Sequence, residues 1–193
     1  WAVLIFTSGI NIFILLAIFV VGASLLAYLI IYVPKFDYIQ GRIFSFFNRE
    51  TGTHNFQSDK AIESITSGGF FGKGIGEGVL KNRVPEAHTD YIISVISEEF
   101  GVVAIMLILL LFLILIYMVF KKISFETNDK VKLILIGSIS LILMQATIHI
   151  GVNIRLFPTT GMTLPFLSYG GSSIISTSIL GGIILNLTKR KIT

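Results

Sequence analysis

The stretch GVVAIMLILLLFLILIYMVF, residues 101–120, decides what kind of fold this chain adopts. It holds no charged side chain, and about 20 consecutive apolar residues are what a helix needs to cross a bilayer. The whole chain agrees, because 53% of its 193 residues are hydrophobic and only 13% are charged, with a mean hydropathy of +0.85. Soluble domains carry about 25% charged residues. The sequence therefore predicts an all-α, polytopic integral membrane helical bundle.

Four segments are long and apolar enough to be transmembrane helices, and they cover residues 11–33, 102–120, 131–153 and 172–187. Residues 1–8 look like the end of an earlier helix. The chain begins at Trp1 inside an apolar run, with no initiator Met and no basic signal-peptide start. We therefore expect these 193 residues to be the C-terminal part of one larger polytopic domain. Because cysteine is absent, a disulfide framework and a thiolate metal site are excluded within these residues.

Short basic connections predict the orientation of the helices. Positive charge concentrates in the 121–132 connection and in the C-terminal tail, at Lys121, Lys122, Lys130, Lys132, Lys189, Arg190 and Lys191. Short loops rich in Lys and Arg stay in the cytoplasm, so we expect segments 34–101 and 154–171 to be extracytoplasmic. The long segment should contain short helices. Phe36, Ile39, Ile43 and Phe47 recur at helical spacing, which suits a helix on the membrane surface or one packed against the other helices.

A glycine-rich run, GGFFGKGIGEG at residues 68–78, invites comparison with phosphate-binding loops. It fails the two common templates, because Gly74 follows Lys73 where Ser or Thr is required and Glu77 occupies the place of a third glycine. Two interpretations stay open. The loop is either a plain turn, or a site that holds a pyrophosphate with backbone N–H groups and the nearby cations Lys73, Lys81 and Arg83.

Polar residues interrupt the last two predicted spans. Gln145, His149 and Asn153 fall at i, i+4 and i+8 on one face of a helix. Such a stripe is either a functional site or a set of structural hydrogen bonds between helices. For His149 we favour the structural interpretation. The segment 154–171 contains two prolines and several glycines, so we expect an irregular, re-entrant-like segment that lines a cavity.

The stretch VPEAHTDYIISVISEEFG, residues 84–101, places four carboxylates and His88 before the most apolar span. Pro85 or Thr89 is expected to begin a helix, with Asp90 in its first turn if Thr89 is the cap. Ser94, Ser97 and Glu98 would then follow Asp90 on one face. An acid in the first turn complements the helix dipole, and it is equally suited to a catalytic role. Spacing alone leaves both interpretations open.

Several of these stretches, taken in order, carry a resemblance to a known family. PEAHTDY (85–91) followed by EEFG (98–101), SGG and GKG in residues 67–74, PTTG (158–161) and LPFLSYGGSS (164–173) are similar to the signatures of SEDS proteins. These are the FtsW, RodA and SpoVE membrane proteins of bacterial wall synthesis. The chain resembles the last four helices and the large outer loop of that family, and it looks most like the FtsW division branch. Tyr91 departs from the usual Phe.

The resemblance implies that the protein is a peptidoglycan glycosyltransferase, which polymerises lipid II at the outer face of the cytoplasmic membrane, at the division septum. The family's catalytic Asp corresponds to Asp90. The substrate-binding residues that we expect are Lys73, Lys81, Arg83, Glu86, His88 and Ser168. A lipid II flippase and a non-catalytic scaffold are the alternatives.

The resemblance also implies partners and a cofactor. We expect a class B penicillin-binding transpeptidase and other division proteins as partners, and no nucleic acid. A divalent cation, Mg²⁺ or Mn²⁺, would assist, with Asp90 and Glu98 as its candidate ligands, and no organic cofactor is expected.

Overall fold

The computed structural model describes residues 2–48, 53–84 and 86–189, and all regular structure within these ranges is helical. The α-helices are α1 (Ala2–Thr7), α2 (Ile12–Tyr32), α3 (Asp37–Asn48), α4 (Thr53–Gly68), α5 (Leu80–Arg83), α6 (Ile92–Phe125), α7 (Asp129–Asn153) and α8 (Gly171–Thr188). Among the described residues, α2, α6, α7 and α8 are long and apolar enough to cross a membrane. The predicted all-α membrane fold is confirmed.

The chain divides into two compact units, Trp1–Asn55 and Phe56–Thr193. In the first unit, α1 ends in a turn at Gly9, whose φ of 91° is one that glycine adopts without strain. The side chain of Asn11 then accepts a hydrogen bond from the backbone N–H of Phe13 and caps α2. Helix α2 ends at Tyr32, immediately before the Val33-Pro34 pair, since a proline disfavours helical geometry in the residue before it.

The helices of the second unit pack around several groups of buried side chains, and two of these groups are the largest. One lies along the spans and contains Val119, Leu135, Ile139, Ile142 and Ile184. The other joins α4 and α5 to the start of α6 and the end of α7 through Ala61, Leu80, Val84, Ala87, Tyr91, Val95 and Val152. Because lipid is as apolar as these side chains, close packing and hydrogen bonds hold the spans together, more than exclusion of water does.

Helix α6 differs from the prediction in its start and in its continuity. It begins at Ile92, with Tyr91 as the N-cap, so Asp90 lies in the turn before the helix and Thr89 does not cap it. The backbone N–H groups of Thr89 and Asp90 both donate to the carbonyl of Glu86, which closes this turn instead of a first helical turn. Pro85 lies outside the described residues. The helix is then broken at Gly101, where φ is 76° and ψ is −174°.

The connection between α7 and α8 contains no helix, as the prolines and glycines of residues 154–171 predict. Three of its residues adopt positive φ angles, namely Arg155, Gly161 and Phe166. Part of this irregular segment is nevertheless buried, with Leu164 1% exposed and Ser168 2% exposed. Irregular backbone in a membrane protein requires such burial, because its polar groups must find partners other than lipid.

Candidate functional site

Asp90 lies in the turn formed by residues 86–91, between the end of the glycine-rich region and α6. Its side chain is half-buried, and a Cβ atom built on Gly161 would lie 3.5 Å from its Oδ2 atom. The carboxylate therefore sits against the irregular 158–169 segment. Burial raises the pKa of Asp90 above its ordinary value, and a hydrogen bond with Thr89 acts in the opposite, lowering direction. Asp90 is thus a carboxylate whose environment makes it a stronger base than an exposed one.

Two hydrogen bonds attach the irregular segment to this turn. The Oγ of Ser168 donates to the carbonyl of Thr89 at 2.7 Å, and the backbone N–H of Tyr169 donates to the carbonyl of His88 at 3.1 Å. Ser168 also accepts a bond from the N–H of Leu164 at 2.8 Å. The hydroxyl of this buried serine is therefore engaged inside the protein. The contacts of Ser168 in the structure hold the irregular segment on the Asp90 turn, and its contact with substrate stays a prediction.

The polar stripe on α7 faces the same two segments. Gln145 donates to the carbonyl of Thr163 at 2.9 Å and to Ser173 of α8 at 3.2 Å. His149 is fully buried, and its Nδ1 lies 2.7 Å from the carbonyl of Met162. Asn153 donates to the carbonyl of Asp90 at 3.0 Å. These contacts are structural hydrogen bonds, which is the interpretation favoured for His149 from the sequence. The sequence pattern identified the stripe but did not indicate that Asn153 reaches the candidate base.

The glycine-rich loop forms backbone hydrogen bonds with α6 on both sides of the break at Gly101. The break leaves the carbonyls of Glu98 and Glu99 without helical partners, and they accept bonds from the N–H groups of Lys73 and Gly74 at 2.9 and 3.1 Å. In return, the N–H groups of Val102 and Val103 donate to carbonyls of the loop. The idea that this loop's N–H groups cradle a pyrophosphate is therefore corrected for Lys73 and Gly74. Their donors are already occupied by the broken helix.

Glu98 is buried at this junction, 2% exposed. Its Oε1 accepts from Lys73 Nζ at 2.9 Å, and its Oε2 accepts from the N–H groups of Val79 and Leu80 at 3.1 and 3.0 Å. Both oxygens are thus engaged, so Glu98 does not suit the predicted role of metal ligand. Among the described residues, no three His, Cys, Asp or Glu side chains gather in a way that could hold a metal ion.

Two of the predicted substrate-binding cations, Lys73 and Arg83, line a cavity beside Glu98. The cavity has a volume of about 210 Å³, and its charged lining consists of Lys60, Lys73, Arg83, Glu63 and Glu98. Lys73 is paired with Glu98, and Lys60 is paired with Glu63. Arg83 is exposed, whereas the side chain of Lys81 lies outside the described part of the chain. Lys73 and Arg83 therefore line the same cavity, and Asp90 is not among the residues of that lining.

Glu86 and His88 occupy the same turn as Asp90, and both are exposed. Glu86 has a φ of 63°, a left-handed conformation that is uncommon for a residue other than glycine. The carbonyl of Glu86 closes the turn by accepting from Thr89 and Asp90, and the carbonyl of His88 accepts from the N–H of Tyr169. Both side chains are thus exposed on the turn that carries the candidate base, and their contact with substrate stays a prediction.

Comparison with known proteins gives consistent results. The sequence family described as cell cycle protein, which comprises FtsW, RodA and SpoVE, matches residues 1–192. A relative named "Probable peptidoglycan glycosyltransferase FtsW" from Enterococcus hirae is 40% identical over 138 residues, which cover 71% of this chain and 35% of the relative. Proteins of the same name from Caulobacter vibrioides and Trichlorobacter lovleyi are 39% and 34% identical and cover 81% and 96% of this chain. These alignments span 40% and 49% of the two relatives.

A solved structure supports the same relationship. One chain of a peptidoglycan synthase complex, described as coordinating polymerization and crosslinking, superposes with a TM-score of 0.71 at 26% sequence identity. The match covers 99% of this chain and 53% of the solved one. The chain thus spans about half or less of the proteins that it matches, and its helices follow the same fold. It belongs to the FtsW, RodA and SpoVE family of cell cycle proteins.

Proposed function

We propose that the full-length protein is a peptidoglycan glycosyltransferase that polymerises lipid II, with Asp90 as its general base. The observation that carries the proposal is the position of Asp90. Its half-buried carboxylate lies against the irregular 158–169 segment in a chain whose relatives are named peptidoglycan glycosyltransferases. A lone carboxylate suits this reaction, because the leaving group, undecaprenyl pyrophosphate, departs without needing a protein acid.

In the proposed reaction, the carboxylate of Asp90 takes the proton from the 4-hydroxyl of the acceptor sugar. The hydroxyl oxygen forms a bond to the anomeric carbon of the donor, and the bond from that carbon to the pyrophosphate oxygen breaks. The electron pair leaves with undecaprenyl pyrophosphate. Because both oxygens of Glu98 are engaged by Lys73, Val79 and Leu80, Asp90 and Glu98 do not fit as a pair of ligands for a divalent cation.

The orientation of the chain follows from the basic connection between α6 and α7. With that connection in the cytoplasm, Asp90 lies at the outer end of α6, where lipid II is polymerised. A class B transpeptidase and the division septum are the expected partner and location. A cysteine placed at Asn128 should be protected from a membrane-impermeant thiol reagent in intact cells, and its labelling there would contradict this orientation.

The direct test of the proposal is the polymerisation of labelled lipid II by purified full-length protein in detergent. We expect glycan strands to form, because a glycosyltransferase needs no membrane to act across. Strand length is measured on a gel after delipidation. A flippase or a scaffold would produce no polymer under these conditions. Absence of polymer, from protein that is folded and still binds lipid II, would overturn the proposal.

Arg83 is expected to contribute to substrate binding, and Lys73 to the stability of the fold. Arg83 is exposed at the cavity, so Arg83→Ala should raise the KM for lipid II about three- to tenfold through loss of a charged contact to pyrophosphate. Lys73→Ala should instead lower thermal stability, because it removes the cation that neutralises buried Glu98. Kinetics and melting curves of both variants separate the two effects. Lys132→Ala, which removes an α7 cation paired only with the exposed Asp129 three residues earlier, is the control that should change neither quantity.

An unchanged KM in Arg83→Ala would remove Arg83 from the substrate site. Equal melting temperatures for Lys73→Ala and the parent protein would contradict the structural role assigned to the Lys73–Glu98 pair.

A further inference from the structure

Asn153, the last residue of α7, uses its whole side chain on the segment that carries Asp90. It is 0% exposed. Its Nδ2 donates to the carbonyl of Asp90 at 3.0 Å and to the carbonyl of His149 at 2.8 Å. Its Oδ1 accepts from the N–H and the Oγ of Ser94, at 3.2 and 2.7 Å. The amide is therefore fully satisfied, and one buried side chain joins the Asp90 turn, the first turn of α6 and the end of α7.

The bond to Ser94 replaces a missing helix cap. The first N–H groups of a helix have no partner within it, and the side chain of the N-cap residue usually accepts one of them. In α6 the N-cap is Tyr91, which makes no side-chain cap bond. Ser94 stands at the third helical position, and its N–H is satisfied by Asn153 from a different helix. Asn153 thus caps α6 from outside and holds the residue just before the cap, Asp90, with the same amide group.

We propose that Asn153 is a positioning residue for the Asp90 carboxylate, setting its direction toward the substrate through the backbone of the turn. The proposal rests on the proposed function of Asp90. Because Asp90 precedes α6 and is not part of it, helical geometry does not determine where its side chain points. Its own peptide groups are held by the bond from its N–H to the carbonyl of Glu86 and by the bond from Asn153 to its carbonyl.

The test compares steady-state kinetics of lipid II polymerisation in full-length variants. Asn153→Ala removes all four bonds, and Asn153→Asp keeps an acceptor for Ser94 but no longer donates to the carbonyl of Asp90. Since a displacement of about 1 Å can cost about 10²-fold in rate, we expect kcat to fall about 10- to 100-fold in both variants. KM and the stoichiometry of lipid II binding should stay within about twofold. Asn186→Ala, at an exposed position of α8, is the matched control and should behave like the parent protein.

The outcomes separate this inference from the proposed function. Parental kcat in a folded Asn153→Ala variant, with Asp90→Asn inactive, would overturn the positioning role and leave Asp90 as the base. A fall in lipid II binding stoichiometry that accounts for the whole loss of rate, or failure of both Asn153 variants to fold, would also overturn it, since Asn153 would then serve the fold alone. Parental activity of Asp90→Asn would instead overturn the proposed function itself.

Discussion

Asp90→Asn in the full-length protein is expected to lower the rate of lipid II polymerisation about 10²- to 10⁴-fold, the usual cost of removing a positioned general base. Asparagine has nearly the same shape as aspartate, and the backbone bonds from Asp90 to Glu86 and from Asn153 to Asp90 do not depend on the carboxylate. What the amide cannot do is accept a proton from the acceptor hydroxyl. The rate is measured with labelled lipid II in detergent.

The same variant has a predicted effect on stability with a definite sign. Burial raises the pKa of Asp90 in the folded protein, so ionisation of this group costs the folded state some stability as pH rises through the raised pKa. Asparagine stays neutral at every pH. Asp90→Asn should therefore melt at the same temperature as the parent or slightly higher at neutral pH, although it is inactive. A large drop in melting temperature would show that the loss of activity reflects misfolding.

The raised pKa also predicts the acidic side of the pH–rate profile. A base must be deprotonated, so the rate should be full above the pKa of Asp90 and should fall as pH drops through it. Because burial raises that pKa, the fall should begin at a higher pH than for an exposed aspartate with its usual pKa.

Glu86→Gln and His88→Ala, on the same turn, are the matched comparisons for Asp90→Asn and should lower the rate of polymerisation less. Polymerisation by Asp90→Asn at close to the parental rate would show that the catalytic assignment is wrong.

Gly101→Ala is expected to prevent stable folding of the junction between α6 and the glycine-rich loop. Gly101 has a φ of 76° with extended ψ, a combination that is essentially restricted to glycine. A Cβ atom there would lie 2.2 Å from the carbonyl oxygen of Phe70 and 2.5 Å from the N–H nitrogen of Gly72. Backbone strain and overpacking each cost about 1–3 kcal/mol, and the atoms in the way are backbone atoms that cannot rotate aside.

The consequence should extend beyond Gly101 itself. If the break closes, the carbonyls of Glu98 and Glu99 and the N–H groups of Val102 and Val103 lose their bonds to the loop. The loop would then detach from α6. Thermal unfolding of purified protein and the yield of monodisperse protein measure the effect. The control is Gly182→Ala in α8, where nothing lies within 4 Å of the added Cβ and no loss is expected. Equal melting temperatures for the two variants would contradict the role assigned to this break.

The local sequence determined the class of fold and most of the helices. The apolar runs alone predict the transmembrane helices, because roughly 20 consecutive apolar residues are stable in a bilayer only as a helix whose backbone hydrogen bonds are internal. The predicted helix 131–153 and the observed α7, Asp129–Asn153, differ by two residues at the start. The irregular connection before α8 was equally visible, since prolines and glycines act on their own backbone and need no distant partner.

The structural partner of the glycine-rich loop could not be predicted from the local sequence. Its composition allowed a phosphate-binding loop or a turn, and its actual partner, the broken helix at Gly101, lies about thirty residues later in the chain. The glycine that follows Glu98, Glu99 and Phe100 was visible in the sequence. Its break was not, because an isolated glycine within an apolar helix is also tolerated without a break. Only the close approach of the loop to Gly101 decides between the two states.

At the candidate site too, the sequence identified one part and the tertiary structure decided the other. Asp90 was identified from its resemblance to a family motif, whereas its surroundings came from residues 153 to 169, which meet it only after α6 and α7 pack together. The periodicity of Gln145, His149 and Asn153 showed that they share a face of α7. It could not show which of them reaches Asp90, because a hydrogen bond depends on where two segments lie in space to within a few tenths of an ångström. Helix periodicity is a property of neighbours in sequence, and the direction of the Asp90 carboxylate is a property of the packed structure.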